Sequence, residues 1–181
     1  MKVAFMSLGL LAATAFVRAD DVSIKLEDVP KPVLSAVKTK FPEGKVTKAL
    51  KEEEDGKTTY ELVVEVEGKT LDVAVSDKGK LLEIEEPVDA AKLPEAVGAA
   101  IKAKYPESKI KKAEQVTKFE GDGDGQEGEK VFEILLTTEG KKNIEVKVSP
   151  KGKILEDEED DDDKPAKKKD DGDKPGKKTD D

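Results

Sequence analysis

Residues 119–129, FEGDGDGQEGE, hold the densest set of side chains that could do chemistry. Asp122, Asp124 and Gln126 fall at alternating positions, and Glu133 follows eleven residues after Asp122. Oxygen ligands spaced in this way surround the ion in a helix-loop-helix calcium loop. The sixth position, however, is Glu127, where the sharp turn of such a loop wants glycine, and Glu133 falls within a strand-like alternation. The stretch is therefore read as a hairpin loop, with Asp122 and Asp124 as its calcium candidates. Gly123, Gly125 and Gly128 also spell G-x-G-x-x-G. A phosphate cradle of that pattern needs a strand before it and a helix N-terminus after it. Here a strand pattern follows, at 131–136, and the acids lining the loop repel phosphate.

The rest of the chain narrows the chemistry further. It has no histidine and no cysteine, so nucleophilic catalysis through a Ser-His-Asp or Cys-His pair is excluded. Zinc and haem lose their commonest ligands. A carboxylate pair could still hydrolyse a glycoside, but sugar clefts are usually built with aromatics, which make up only 4% of these residues. The chain is read as non-catalytic, and no cofactor is expected.

Recognition is then the remaining work, and loops held by a scaffold usually carry it. Two loops link the first two strands of two similar segments: EEEDGK (52–57) and the longer 119–129 stretch. Glu54, Asp55, Asp122, Asp124 and Glu127 are the expected partner contacts, with Phe119 as an apolar anchor or a core residue. Acidic tips suit a basic cleft on a protein target, where charge steers the encounter. The net charge of −9 divides into −6 from Glu156 onward, +2 in the first eighteen residues and −5 in the body. An acidic body argues against nucleic acid and against anionic lipid surfaces.

The elements that must position these loops come in two copies. AVKTKFPEGKVTKA (36–49) is answered by AIKAKYPESKIKKA (100–113), with eight of fourteen positions identical. Val29-Pro30 matches Leu93-Pro94 at an offset of 64, Tyr60-Glu61-Leu62 matches Phe132-Glu133-Ile134 at 72, and VSDKGKLLE (75–83) matches VSPKGKILE (148–156) at 73. The second copy thus carries eight extra residues in its first loop, a place where insertions are tolerated.

Each copy opens as a helix. Asp28 is the expected N-cap, Val29, Val33, Ala36, Val37 and Phe41 form the apolar stripe, and Pro42 is the stop. Leu93, Val97, Ala100, Ile101, Tyr105 and Pro106 repeat the arrangement. Strands follow, with Tyr60, Leu62, Val64 and Val66 alternating with charged residues, and likewise Leu71, Val73 and Val75. Such alternation predicts antiparallel strands with one apolar face and one wet face. Turns are expected at Glu67-Gly68-Lys69, Asp77–Lys80 and Glu139-Gly140-Lys141, and a weaker first strand near 45–53. A unit of this size is marginal alone, so the two are expected to form one rigid tandem.

The ends complete the organisation. Residues 1–19 have a basic start, an apolar run and Val17-Arg18-Ala19 as a cleavage site, the pattern of a signal peptide. The run is too short to span a bilayer, so no stable membrane insertion is expected and the chain is read as exported, to a periplasm or the medium. Residues 158–181, rich in alternating acidic and basic blocks, are expected to be a disordered charged tail. The domains expected are therefore 1–19, 20–88, 89–157 and 158–181. The fold class expected is α+β: a tandem repeat of a helix packed on an about four-stranded antiparallel sheet.

Val29-Pro30, Ala36, Phe41-Pro42, Ala49, Tyr60-Glu61-Leu62, Val73-Ala74-Val75 and Gly79 together resemble the PepSY-like family, related in fold to secreted β-lactamase-inhibitor proteins. The resemblance spans both copies, roughly 24–157. It implies the same helix-on-sheet tandem and a non-catalytic extracytoplasmic binding role, with a secreted or periplasmic hydrolase such as a peptidase as the candidate target. The inhibitor proteins use disulfides and aromatic-rich contacts, whereas this chain lacks cysteine and tryptophan, which argues against β-lactamase itself. The alternative is a calcium- or cation-binding acidic envelope protein using the 119–129 loop and the tail.

Overall fold

The computed structural model describes residues 22–160 except 55, 121–125 and 141. The proposed signal peptide and residues 161–181 of the expected tail lie outside the described residues. The elements, in order, are β1 (Val22–Ile24), α1 (Lys31–Lys40), β2 (Lys45–Glu54), β3 (Lys57–Val66), β4 (Lys69–Ser76), β5 (Leu81–Pro87), α2 (Glu95–Lys104), β6 (Lys109–Glu120), β7 (Gln126–Thr137), β8 (Asn143–Val148) and β9 (Ile154–Asp160). Strand β9 thus runs three residues into the stretch assigned to the tail.

The expected fold class, a helix on a four-stranded sheet repeated twice, is corrected. Among the described residues all nine strands belong to one antiparallel sheet, in the order of the sequence. The reason lies in β5. It pairs with β4 on one side and with β6 on the other, through Glu83↔Lys118, Glu85↔Val116 and Pro87↔Glu114. Strand β1 shows the same arrangement in miniature. Val22↔Lys51 and Ser23↔Leu50 stand 64 residues before Glu86↔Gln115 and Pro87↔Glu114. Each helix is therefore preceded by a strand that pairs with the strand following it. For α2 that strand is also the last one of the first copy, so the sheet continues without a break.

Both helices start at proline. Pro30 is the N-cap of α1 and Pro94 of α2, each with an extended ψ of 140°. Asp28, the expected cap, instead ends a 3-10 turn over Leu26–Asp28, because extended Pro30 between it and Lys31 delays the helix. Each helix closes where the next Xaa-Pro begins, with the Phe41 N–H donating to the Val37 carbonyl and Tyr105 to Ile101, both at 2.8 Å. Val33 and Val37 are buried against Leu62, Val64, Val73 and Val75, while Val97 and Ile101 are buried against Ile134, Leu136, Val146 and Val148. Each such side chain contributes about 1.5–3 kcal/mol on leaving water.

The turn after β4 locks the first helix to the sheet. Gly79 has φ +82°, and a Cβ there would stand 2.6 Å from the Pro32 carbonyl oxygen in the first turn of α1. Gly152 repeats this against Ala96, with φ +80° and 2.4 Å. Gly68, in the preceding β3–β4 hairpin, has φ +75° but open space around it. Gly68→Ala should therefore cost only the left-handed backbone, about 1–2 kcal/mol. Gly79→Ala should add a further 1–3 kcal/mol or so of overpacking. Urea unfolding of both variants checks this, and equal losses would mean that the contact with Pro32 carries no energy.

Candidate functional site

Alternation places one set of strand residues under the helices and the other on the opposite, charged face. The sequence reading made that second face wet. Instead, Glu52, Glu61, Asp72, Glu85, Glu114 and Glu133 are all buried there. The pairings explain why. One row runs straight across five strands, Val63↔Asp72↔Glu85↔Val116↔Val131, from β3 to β7. Val116 is 0% exposed and Val131 5%. Directly opposed residues on one face stand about 4.5–5.5 Å apart at Cβ, so Asp72 and Glu85 are walled by apolar side chains on both sides.

A second row crosses beside it, Pro87↔Glu114↔Glu133↔Lys147↔Glu156, from β5 to β9. Glu114 is two residues along β6 from Val116 and so lies diagonal to Glu85. Carboxylate oxygens of Asp72, Glu85 and Glu114 lie within 4.8 Å of one another. Each of these residues is 5% exposed. They come one each from β4, β5 and β6, so the triangle straddles the pairing that joins the two copies.

The basic residues of this face are fewer than its acids. Lys112 sits 2.7 Å from Glu114 Oε2, Lys147 is 3.5 Å from Glu133 and 3.3 Å from Glu156, and Lys118 is 3.9 Å from Glu83. Burial consequently dominates the acid strengths. It pushes the Glu85 carboxyl up to about 11, reinforced by repulsion from Glu133, Glu114, Glu83 and Asp72. Glu133 is pushed up to about 7 by burial, with Lys147 holding it down. Burial also raises Asp72 against the pull of Lys112 and Lys48, Glu114 against Lys112, and Glu83 against Lys118.

The residues singled out from sequence fall elsewhere. Glu54 ends β2, exposed, opposite Lys57. Asp55, Asp122 and Asp124 lie outside the described residues. Phe119 is buried in the core beneath α1, with Lys40 Nζ 5.1 Å from its ring centre. Lys40 also pairs with Glu127 at 3.2 Å, and Lys130 pairs with Glu127 at 3.3 Å. Glu133, the last position of the calcium pattern, stands in β7 within the buried acidic rows. The base of the β6–β7 hairpin is thus tied to the first helix. Sequence reasoning missed Asp72, Glu85 and Glu114. The signal available was Val116-Thr117 and Val131-Phe132, where one of each two uncharged neighbours must face the charged side.

The pH dependence follows from these acids. A carboxyl raised in the fold keeps a proton that the unfolded chain has lost, so its contribution is full below its ordinary value near 4.5 and declines as pH rises toward the folded value. In metal-free buffer, stability should fall between pH 5 and pH 8, by up to about 1.4 kcal/mol per pH unit for each such carboxyl. Glu85→Gln should flatten the profile and stabilise the protein at pH 8. Denaturant melts across this range check it, and a flat wild-type profile would contradict it.

Comparison with known proteins places this geometry in a family. The model of a family described as "Putative beta-lactamase-inhibitor-like, PepSY-like" matches residues 15–83 and 63–156. A search of curated protein sequences finds no match. Among solved structures, a DUF2874 family protein from Bacteroides uniformis aligns with TM-score 0.56 at 13% identity, over 72% of this chain and 88% of that one. A "putative periplasmic" protein from Bacteroides eggerthii aligns with TM-score 0.57 at 15% identity, over 72% and 88%. A BLIP-like protein from Bacteroides fragilis aligns with TM-score 0.55 at 16% identity, over 72% and 86%. At these identities the likeness is one of fold. No helix among the described residues is long and apolar enough to cross a membrane. By the two overlapping matches that together run from residue 15 to 156, the chain belongs to the PepSY-like, beta-lactamase-inhibitor-like family.

Proposed function

We propose that this chain is an exported, non-catalytic binding module that grips a protein, with a secreted or periplasmic hydrolase such as a peptidase as the candidate target. Family membership supports the class of function. The observation that carries the mode of binding is the anchored stem of the β6–β7 hairpin. Phe119 is buried beneath α1, and Lys40 bridges its ring and Glu127. Contacts made by a stem already held in place cost little ordering entropy, which favours tight recognition. Between β6 and β7 the sequence reads Gly-Asp-Gly-Asp-Gly, residues 121–125, whose acids would steer toward a basic cleft.

The test is affinity capture from the source organism's envelope fraction. Three baits are compared: the full chain, a chain ending at Asp160, and an Asp122→Asn/Asp124→Asn/Glu127→Lys variant. One hydrolase captured equally by the first two, about tenfold less by the third, and slowed in its own assay by added wild-type chain is the expected result. Capture that disappears with residues 161–181, or with modest salt, would favour the cation-binding alternative and overturn this reading.

A further inference from the structure

The acidic triangle on the charged face has a property that a solvated cluster of acids lacks. Asp72 Oδ1 and Glu85 Oε2 are fully buried and have no hydrogen-bond partner. An oxygen in that state costs about 1–3 kcal/mol, more when charged, and both belong to residues 95% buried that present a carboxylate to the same small space. We infer that Asp72, Glu85 and Glu114 form a binding site for a hard divalent cation, with calcium as the best fit, across the β4–β5–β6 junction.

Three features support the assignment. The ligand type is right, since calcium takes carboxylate oxygens at 2.3–2.6 Å. Oxygens about 2.4 Å from an ion stand roughly 3.4–4.8 Å apart for ligand angles between 90° and 180°, and those of the triangle are within 4.8 Å of one another. Magnesium demands near-ideal octahedral geometry at about 2.0–2.1 Å and dehydrates reluctantly, whereas calcium accepts an irregular set of carboxylates. The charge also fits. Lys112, which contacts Glu114, offsets one carboxylate of the three, whereas a divalent cation in its place would offset two. Further oxygens would come from water. The site shares no ligand with the 119–129 loop and is independent of the partner-binding reading.

Lys112 is the built-in competitor, because it offers its own positive charge to Glu114 and Asp72. That makes the inference testable from both sides. Calorimetric titration of the full chain with calcium chloride alone should show one site, with affinity of about 0.1–1 mM, the range of extracellular modules. Asp72→Asn/Glu114→Gln should weaken it more than tenfold, while Lys112→Met should strengthen it at least threefold. Asp122→Asn/Asp124→Asn should leave it unchanged, and magnesium should bind at least tenfold more weakly than calcium. Circular dichroism confirms that each variant is folded, and Lys112→Met decides the matter if the carboxylate double variant is not. No heat with wild type or Lys112→Met up to 10 mM or so calcium, far above the affinities expected of such a site, would overturn the inference. Binding abolished only by the loop variant would overturn it equally.

Discussion

Strand β5 has two hydrogen-bonding edges, and both are taken. Its pairing with β4 finishes the first copy, and its pairing with β6 begins the second. Everything else about the molecule depends on that shared strand. It places α1 and α2 on the same face, each over its own apolar cluster. It also brings acids from both copies into one crowd, since Asp72 and Glu85 come from the first and Glu114 and Glu133 from the second. A strand used twice is an economical way to join marginal units. Both edges of β5 are covered by neighbours, and among the described residues only β1 and β9 remain as outer strands.

Much of this was legible in the sequence. The alternation of Tyr60, Leu62 and Val64, the helix stripe of Val33 and Val37, and the turn at Gly68 all form as the pattern implies. The pairing of β5 with β6 was not, because alternation says which face a side chain takes and not which strand lies beside it. Val22–Ile24 was too short to announce a strand, and its partner register is visible only once β5 is known to do the same job. The larger gap concerned the acids. Alternating Glu and Val reads as a wet face, yet Val63 on one side and Val116 and Val131 on the other close in Asp72 and Glu85. In the site, therefore, the residue types were plain and their burial was not, since burial depends on which residues of neighbouring strands stand opposite.

The acidic rows also invert the usual role of charge in a small protein. Ion pairs such as Lys25–Glu27 or Lys69–Glu86 stand at the surface and contribute little. Asp72, Glu85 and Glu114 are costly as they stand, since buried carboxylates with unmade bonds destabilise the fold. A fold that retains such a cost at the joint between its two copies gains from whatever neutralises it. A proton does so, and burial keeps one on Glu85 beyond neutral pH; a divalent cation that displaced it would do so while tying β4, β5 and β6 together.

The most direct measurement is a crystal structure of the chain with terbium, a strongly anomalous substitute for calcium. The expected result is an anomalous peak between β4, β5 and β6, about 2.3–2.6 Å from oxygens of Asp72, Glu85 and Glu114, with Lys112 turned away. A peak confined to residues 121–125, or no peak and Lys112 seated among the three carboxylates, would contradict the account.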